Sequence, residues 1–189
     1  MNTSNKKQIL LVGNPNVGKS TVFNLLCNKK QKTGNYAGVT VASHSGNYDF
    51  QGETVEVIDL PGSYSIYPSS EDEAILSKFL VDEQKNYSGV VYILEALSMK
   101  RGLLLFQQIQ DLGIPILLVV NQIDQAERRG INIDIDQLSK ELNVTVLQAN
   151  AKENEGIEEL KAEIHKDNFT KSETVSFDIP TEHKGLVFK

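Results

Sequence analysis

Apolar residues in this chain come in short bursts. "QILLVG" (8–13), "TVEVIDL" (54–60), "GVVYIL" (89–94), "PILLVV" (115–120) and "VTVLQA" (144–149) each span six or seven residues. Most are apolar throughout instead of alternating, the pattern of strands buried on both faces of a parallel sheet. Between them lie helix-like segments at 19–28, 71–84, 100–112, 134–142 and 156–166. "GNYDFQGETVEVID" differs, because Gln51-Gly52 separates two strand-like runs by a tight turn. A strand over about 45–50 is therefore expected to run antiparallel at the edge. The pattern predicts a doubly wound α/β domain: a six-stranded, mostly parallel sheet with one antiparallel edge strand and helices on both faces. Ligands in such domains sit at the carboxyl ends of the strands.

From about residue 167 the periodicity stops, and "DNFTKSETVSFDIPTEHKGLVFK" carries polar residues, a proline and a late glycine. Residues 1–166 are read as one nucleotide-binding domain, and 167–189 as a linker or the start of something truncated. No apolar stretch approaches the roughly 20 residues of a membrane-spanning helix. "MNTSNKKQILLVG" has too short an apolar run for a signal peptide and suits a buried first strand. The expectation is a soluble polypeptide facing the cytosol.

Composition changes this picture little. The 189 residues are 40% hydrophobic and 23% charged, enough for one domain with a sizeable core. A net charge of −6 argues against broad nucleic-acid binding, so no nucleic-acid partner is expected. Cys27, the single cysteine, has no disulfide partner and is expected to be a buried hydrophobe. His44, His165 and His183 lie far apart without metal-ligand spacing.

Chemistry enters with "GNPNVGKST", Gly13 to Thr21, which follows the first strand and opens the first helix. It satisfies G-x-x-x-x-G-K-[ST] in the strand–loop–helix context that motif requires. Its glycines let backbone N–H groups converge on phosphate oxygens at a helix N-terminus. Asn14, Asn16, Val17, Gly18, Lys19, Ser20 and Thr21 are the candidate phosphate cradle. Lys19 is placed to reach the β- and γ-phosphates, and Ser20 to offer its hydroxyl to Mg²⁺. "VIDLPG" then ends a strand on Asp59 and puts Gly62 at D-x-x-G spacing. Asp59 can hold the Mg²⁺ shell through water, and the Gly62 N–H can meet the γ-phosphate. Between these motifs, "TGNYAGVTVAS" (33–43) suits a mobile loop whose Thr40 is the candidate second hydroxyl on Mg²⁺.

A P-loop alone does not choose between ATP and GTP, but "NQID" at 121–124 ends the "PILLVV" burst and has the outline of N-K-x-D. Asp124 can accept two hydrogen bonds from the N1–H and N2–H₂ edge of guanine, and adenine offers no matching donor pair. Gln122 replaces the usual lysine, losing its charge over the base. Weaker affinity and faster release are expected. After the last burst, Asn150, Ala151 and Lys152 sit where a loop could back the base.

In order, GNPNVGKS, Thr40, DLPG, NQID and NAK resemble the five motifs of the translation-factor-related small GTPases. "NYAGVTV", "DLPGSYSIYPSSEDEAI" and "LGIPILLVVNQIDQAERRGINIDIDQLSKEL" resemble, more narrowly, segments of the ferrous iron transport protein B (FeoB) family. The likeness covers about residues 7–166. Ala37, Glu95, Gln122 and Asn150 depart from the family's usual Pro, Asp, Met and Ser.

The resemblance implies a Ras-like P-loop GTPase fold and Mg²⁺-dependent hydrolysis of GTP to GDP. Catalysis would fall to Lys19, Asn16, Thr40 and Gly62. Ser63 stands where Ras-like proteins place a water-orienting glutamine; related GTPases with this gap use K⁺, held partly by the residue matching Asn16. It further implies a helical domain and then a transmembrane iron(II) pathway after this segment, at the cytoplasmic face of a bacterial inner membrane. Small accessory proteins of iron uptake and a second copy of the chain are the other partners it admits. Two alternatives remain at this point. A ribosome- or tRNA-associated GTPase would need an RNA-binding domain and a basic surface. An ATP-using P-loop enzyme would leave Asp124 unexplained.

Overall fold

Strands that are apolar on both faces must be covered by helices on both sides, and the chain does this. The computed structural model describes residues 7–27, 31–34, 43–82 and 87–171. The strands are β1 (Lys7–Gly13), β2 (Gln31–Gly34), β3 (Ser43–Phe50), β4 (Glu53–Asp59), β5 (Gly89–Glu95), β6 (Ile116–Asn121) and β7 (Thr145–Ala149). They form one sheet in the order β2-β3-β4-β1-β5-β6-β7. The expected six strands are all present, with β3 antiparallel to β4 and the rest of that set parallel. The short β2 adds a seventh beyond β3, so β3 is flanked on both sides and β2 is the edge.

The hairpin between β3 and β4 turns at Gln51-Gly52, both left-handed (φ 49° and 86°). This is the two-residue turn that matches the twist of paired strands. His44 pairs with Asp59 and Phe50 with Glu53, so the turn lies at the end of the sheet away from the carboxyl ends of the parallel strands.

Helices α1 (Lys19–Cys27), α2 (Glu71–Ser77), α3 (Met99–Asp111), α4 (Ile123–Arg128), α5 (Ile135–Leu142) and α6 (Ile157–His165) complete the domain. The segment expected as one helix over 71–84 changes character part-way. After α2 the chain makes a π-helical turn over Lys78–Asp82. Helix α4 was not expected, because six residues are too short to show a helical period. Alternation along β1 divides the core. Leu10 and Val12 face α2, α3 and the π turn, against Leu76, Phe79, Leu80, Leu105 and Phe106. Ile9 and Leu11 face α1 and α6, against Phe23, Leu26, Leu160 and Ile164. Packing continues past 166: Lys7 pairs with Asp167 at 2.9 Å, Phe169 lies against Gly89, and Thr170 exchanges two backbone hydrogen bonds of 2.9 Å with Ile116. Among the described residues no helix is long and apolar enough to cross a membrane.

Cys27 is fully buried, with its sulfur against Gly46 of β3; a Cβ at 46 would stand 2.7 Å from it. Burial, and next the nearby Asp59 carboxylate, push the thiol up to about 12. Since the thiolate is the reactive form, the folded protein should resist thiol reagents at about pH 8 and react on unfolding. Prompt labelling of the folded chain would show that the α1–β3 contact opens.

Candidate functional site

The carboxyl ends of β1, β4, β6 and β7 converge on one edge of the sheet, as parallel pairing requires. The loop from β1 to α1 lies at the centre. Asn16 (φ 67°) and Gly18 (φ 87°) are left-handed, which curls the loop so that α1 begins at Lys19. Gly18 is also required by space, since a Cβ there would lie 2.4 Å from Asn121 Nδ2. Asn14, Pro15, Asn16, Gly18, Lys19, Ser20, Thr21 and Gly62 line a cavity of about 520 Å³. Val17 is turned the other way, into the core.

Lys19, which lines the cavity, and Asp59, both buried, form an ion pair between Nζ and Oδ1. Thus the P-loop ammonium and the acid of D-x-x-G share one place. The loop after Asp59 is drawn onto the P-loop. Ser63 N–H donates to Gly13 O at 3.3 Å, and a Cβ on Gly62 would meet the Pro15 backbone at 2.9 Å. Ser63 is buried and its hydroxyl has no partner. Thr40 and Ala37 lie outside the described residues.

The base-reading candidates are assembled by Asn121, which is 1% exposed. Its Nδ2 donates to Val17 O at 2.9 Å, and its Oδ1 accepts from Ala151 N–H at 3.1 Å. One amide therefore joins three segments. Gln122 is left-handed (φ 64°) and precedes α4. Gln125 Nε2 donates to Gln122 Oε1 at 2.6 Å. Asp124 pairs with Arg128 at 3.1 Å, one turn along α4. Asp124 and Asn150 line a second cavity of about 210 Å³. Lys152 is exposed and belongs to the lining of neither cavity.

Two groups that sequence reasoning passed over lie beside the P-loop. Tyr92, fully buried on β5, places its hydroxyl 2.9 Å from the Asn14 amide and 2.7 Å from Gly102 O. The signal was there, since a tyrosine in an otherwise aliphatic buried run needs a partner for its hydroxyl. Arg101 of α3 lies over the Tyr64 ring at 3.7 Å. Arg101 and Tyr64, together with Asn16 and Glu95, border a cavity of about 200 Å³ behind the loop.

The family described as ferrous iron transport protein B matches residues 7–164. The chain belongs to the FeoB family. The Fe(2+) transporter FeoB of Leptospira biflexa is 40% identical over 162 residues, which are 86% of this chain and 23% of that protein. The chain thus spans about a quarter of the length of that relative. The G domain of the T. maritima FeoB iron transporter superposes with a TM-score of 0.79 at 33% identity, covering 86% of this chain and 98% of that one. The cytosolic domain of the same transporter, solved in a GDP form, gives 0.79 at 36% identity over 85% of this chain and 63% of that one. The chain therefore corresponds to the FeoB G domain, and the resemblance in the segments after DLPG and NQID named the family correctly.

The Lys19–Asp59 pair allows a direct test within this FeoB domain. Replacing Lys19 by Met leaves a buried carboxylate without its partner and should cost about 3–5 kcal/mol of unfolding free energy, measured by urea titration. Lys19→Met combined with Asp59→Leu should regain most of it. A Lys19→Met protein as stable as its parent would show that the two charges are not buried together.

Proposed function

We propose that this domain binds GTP and GDP and hydrolyses GTP slowly, with its switch loops regulating iron(II) uptake through a membrane-embedded part of the same protein. The observation that carries this reading is the juxtaposition of Lys19 and Asp59 beneath one P-loop, beside an asparagine that ties that loop to the base-reading segments. The GDP form of the T. maritima relative supports it.

The donor set fits each group the reaction needs. A left-handed glycine loop at a helix N-terminus presents N–H groups to the β-phosphate. Entry of a phosphate draws the Lys19 ammonium off Asp59 and onto the β- and γ-oxygens, which frees the carboxylate. Ser20, Asp59 and Thr40 would then hold Mg²⁺, whose contribution is to neutralise and orient the phosphates. The Gly62 N–H meets the γ-phosphate once this loop lifts from Pro15. Asn16, exposed at the rim of the cavity, would hold K⁺, whose contribution would be the positive charge an arginine finger gives elsewhere.

Guanine is read by Asp124, with Asn150, Ala151 and Lys152 backing the base and Asn121 holding the frame. Gln122, held by Gln125, covers the base without a charge. We place the domain at the cytoplasmic face of the bacterial inner membrane, joined to its own transmembrane part. Small accessory proteins and a second copy are further partners.

Two measurements test this. Asp124→Asn replaces one of the two acceptor oxygens by an NH₂ donor and should weaken GDP binding by about 10⁴-fold while admitting xanthine nucleotides; unchanged fluorescent-GDP binding would remove the base-reading assignment. Hydrolysis should run faster in potassium than in sodium, and Asn16→Asp should alter that difference. Equal rates in the two salts, or the same potassium dependence in Asn16→Asp, would count against the cation site.

A further inference from the structure

Tyr92 is the one polar side chain in the six-residue buried run of β5, and its ring stands edge-on to Phe106 at 5.6 Å. A buried hydroxyl is tolerated only when it is hydrogen-bonded. Two oxygens lie within reach: Gly102 O at 2.7 Å, and the Asn14 amide at 2.9 Å when its oxygen faces the hydroxyl. One hydroxyl has one proton and cannot donate to both.

The carbonyl is fixed. A Cβ on Gly102 would lie 2.0 Å from Leu94 Cδ1, so at this point α3 is seated directly on β5. The two ends of an asparagine amide, by contrast, have the same shape and are distinguished only by their hydrogen bonds. With the amide turned over, Asn14 Nδ2 donates to Tyr92 Oη and Tyr92 Oη donates to Gly102 O. Every group is then satisfied. The end of the amide left to the phosphate cavity, which Asn14 lines, is its oxygen.

We propose that Tyr92 is a positioning residue for the P-loop, holding the Asn14 amide with its oxygen toward the phosphate cavity. The proposal rests on the GTPase reading above and deepens it. An oxygen there is an acceptor, so it holds a proton of water and does not bind a phosphate oxygen. Without the tyrosine hydroxyl the amide is free to turn its NH₂ to the phosphates. That contact forms in the bound ground state, tightening substrate without helping the reaction. The same relay links the P-loop to α3, whose Arg101 and Gln108 hold Tyr64 and the Ile66 N–H of the following loop.

Tyr92→Phe keeps the ring and removes only the hydroxyl. It should lower kcat for GTP about two- to tenfold while KM holds or falls. The double variant with Asn14→Ala should be no slower than Asn14→Ala alone. A merely structural tyrosine would lower stability and leave kcat and KM each at the parental value. In the unmutated, GDP-bound protein, NMR should show a cross-relaxation signal between the Asn14 side-chain NH₂ and the Tyr92 ring protons. Absence of that signal overturns the proposal, whether or not Tyr92→Phe folds. Parental kcat and KM in Tyr92→Phe, or additive losses in the double variant, also overturn it. If the unmutated domain turns over no GTP at all, the GTPase reading fails, and the NMR signal still decides the orientation of Asn14.

Discussion

The side-chain amide of Asn121 is the tie on which the site depends. Each end of it is used: the NH₂ on the carbonyl of Val17 and the oxygen on the N–H of Ala151. The three segments it joins leave three different strands, and the amide adds a direct link between them to the pairing of the sheet. Because the amide is almost completely buried, its hydrogen bonds have no water to compete with. Gly18 completes the arrangement by having no Cβ to fill the space that the amide occupies. A bulkier residue at 18 would push the P-loop away from the end of β6, so the glycine is fixed twice, by conformation and by volume.

The strands buried on both faces were legible because a parallel sheet needs uninterrupted apolar runs, and β1, β5 and β6 supply them. The hairpin was legible because Gln51-Gly52 supplies two left-handed residues between strand-like runs. Strand β2 was not, since "QKTG" contains no apolar residue. Helix α4 was hidden by its length. At the site, contiguous motifs were legible and bridges between them were not. Asn121 could be placed at a strand end, but its partners are main-chain groups 104 and 30 residues away, and main-chain groups leave no mark in a sequence. The Asp124–Arg128 pair was open to inference from i,i+4 spacing, but only once α4 was known. Tyr92 was hidden by its surroundings, because an aliphatic run explains a buried ring and distracts from the hydroxyl.

Helix α3 is bonded to both halves of the phosphate site. It carries the carbonyl that Tyr92 uses, the guanidinium over Tyr64, and the Gln108 side chain that accepts from the Ile66 N–H at 3.0 Å. The P-loop and the loop after β4 are therefore held by neighbouring turns of one rigid helix, and a change in either is felt by the same element. Tyr64, Tyr67 and Leu104 remain exposed around this helix.

The residues after α6 give the sheet a second set of attachments, at the end opposite the nucleotide. Asp167 grips Lys7 on β1, Phe169 covers Gly89 on β5, and Thr170 is stitched to Ile116 on β6. The far ends of those same strands carry the P-loop, Glu95 before α3, and Asn121. In mechanical terms the three strands are struts loaded in parallel, each about 20 Å long at the rise of an extended chain. Strands hydrogen-bonded on both sides have little give along their length. A pull on residues 167–170 is therefore transmitted to the P-loop, Glu95 and Asn121 at once.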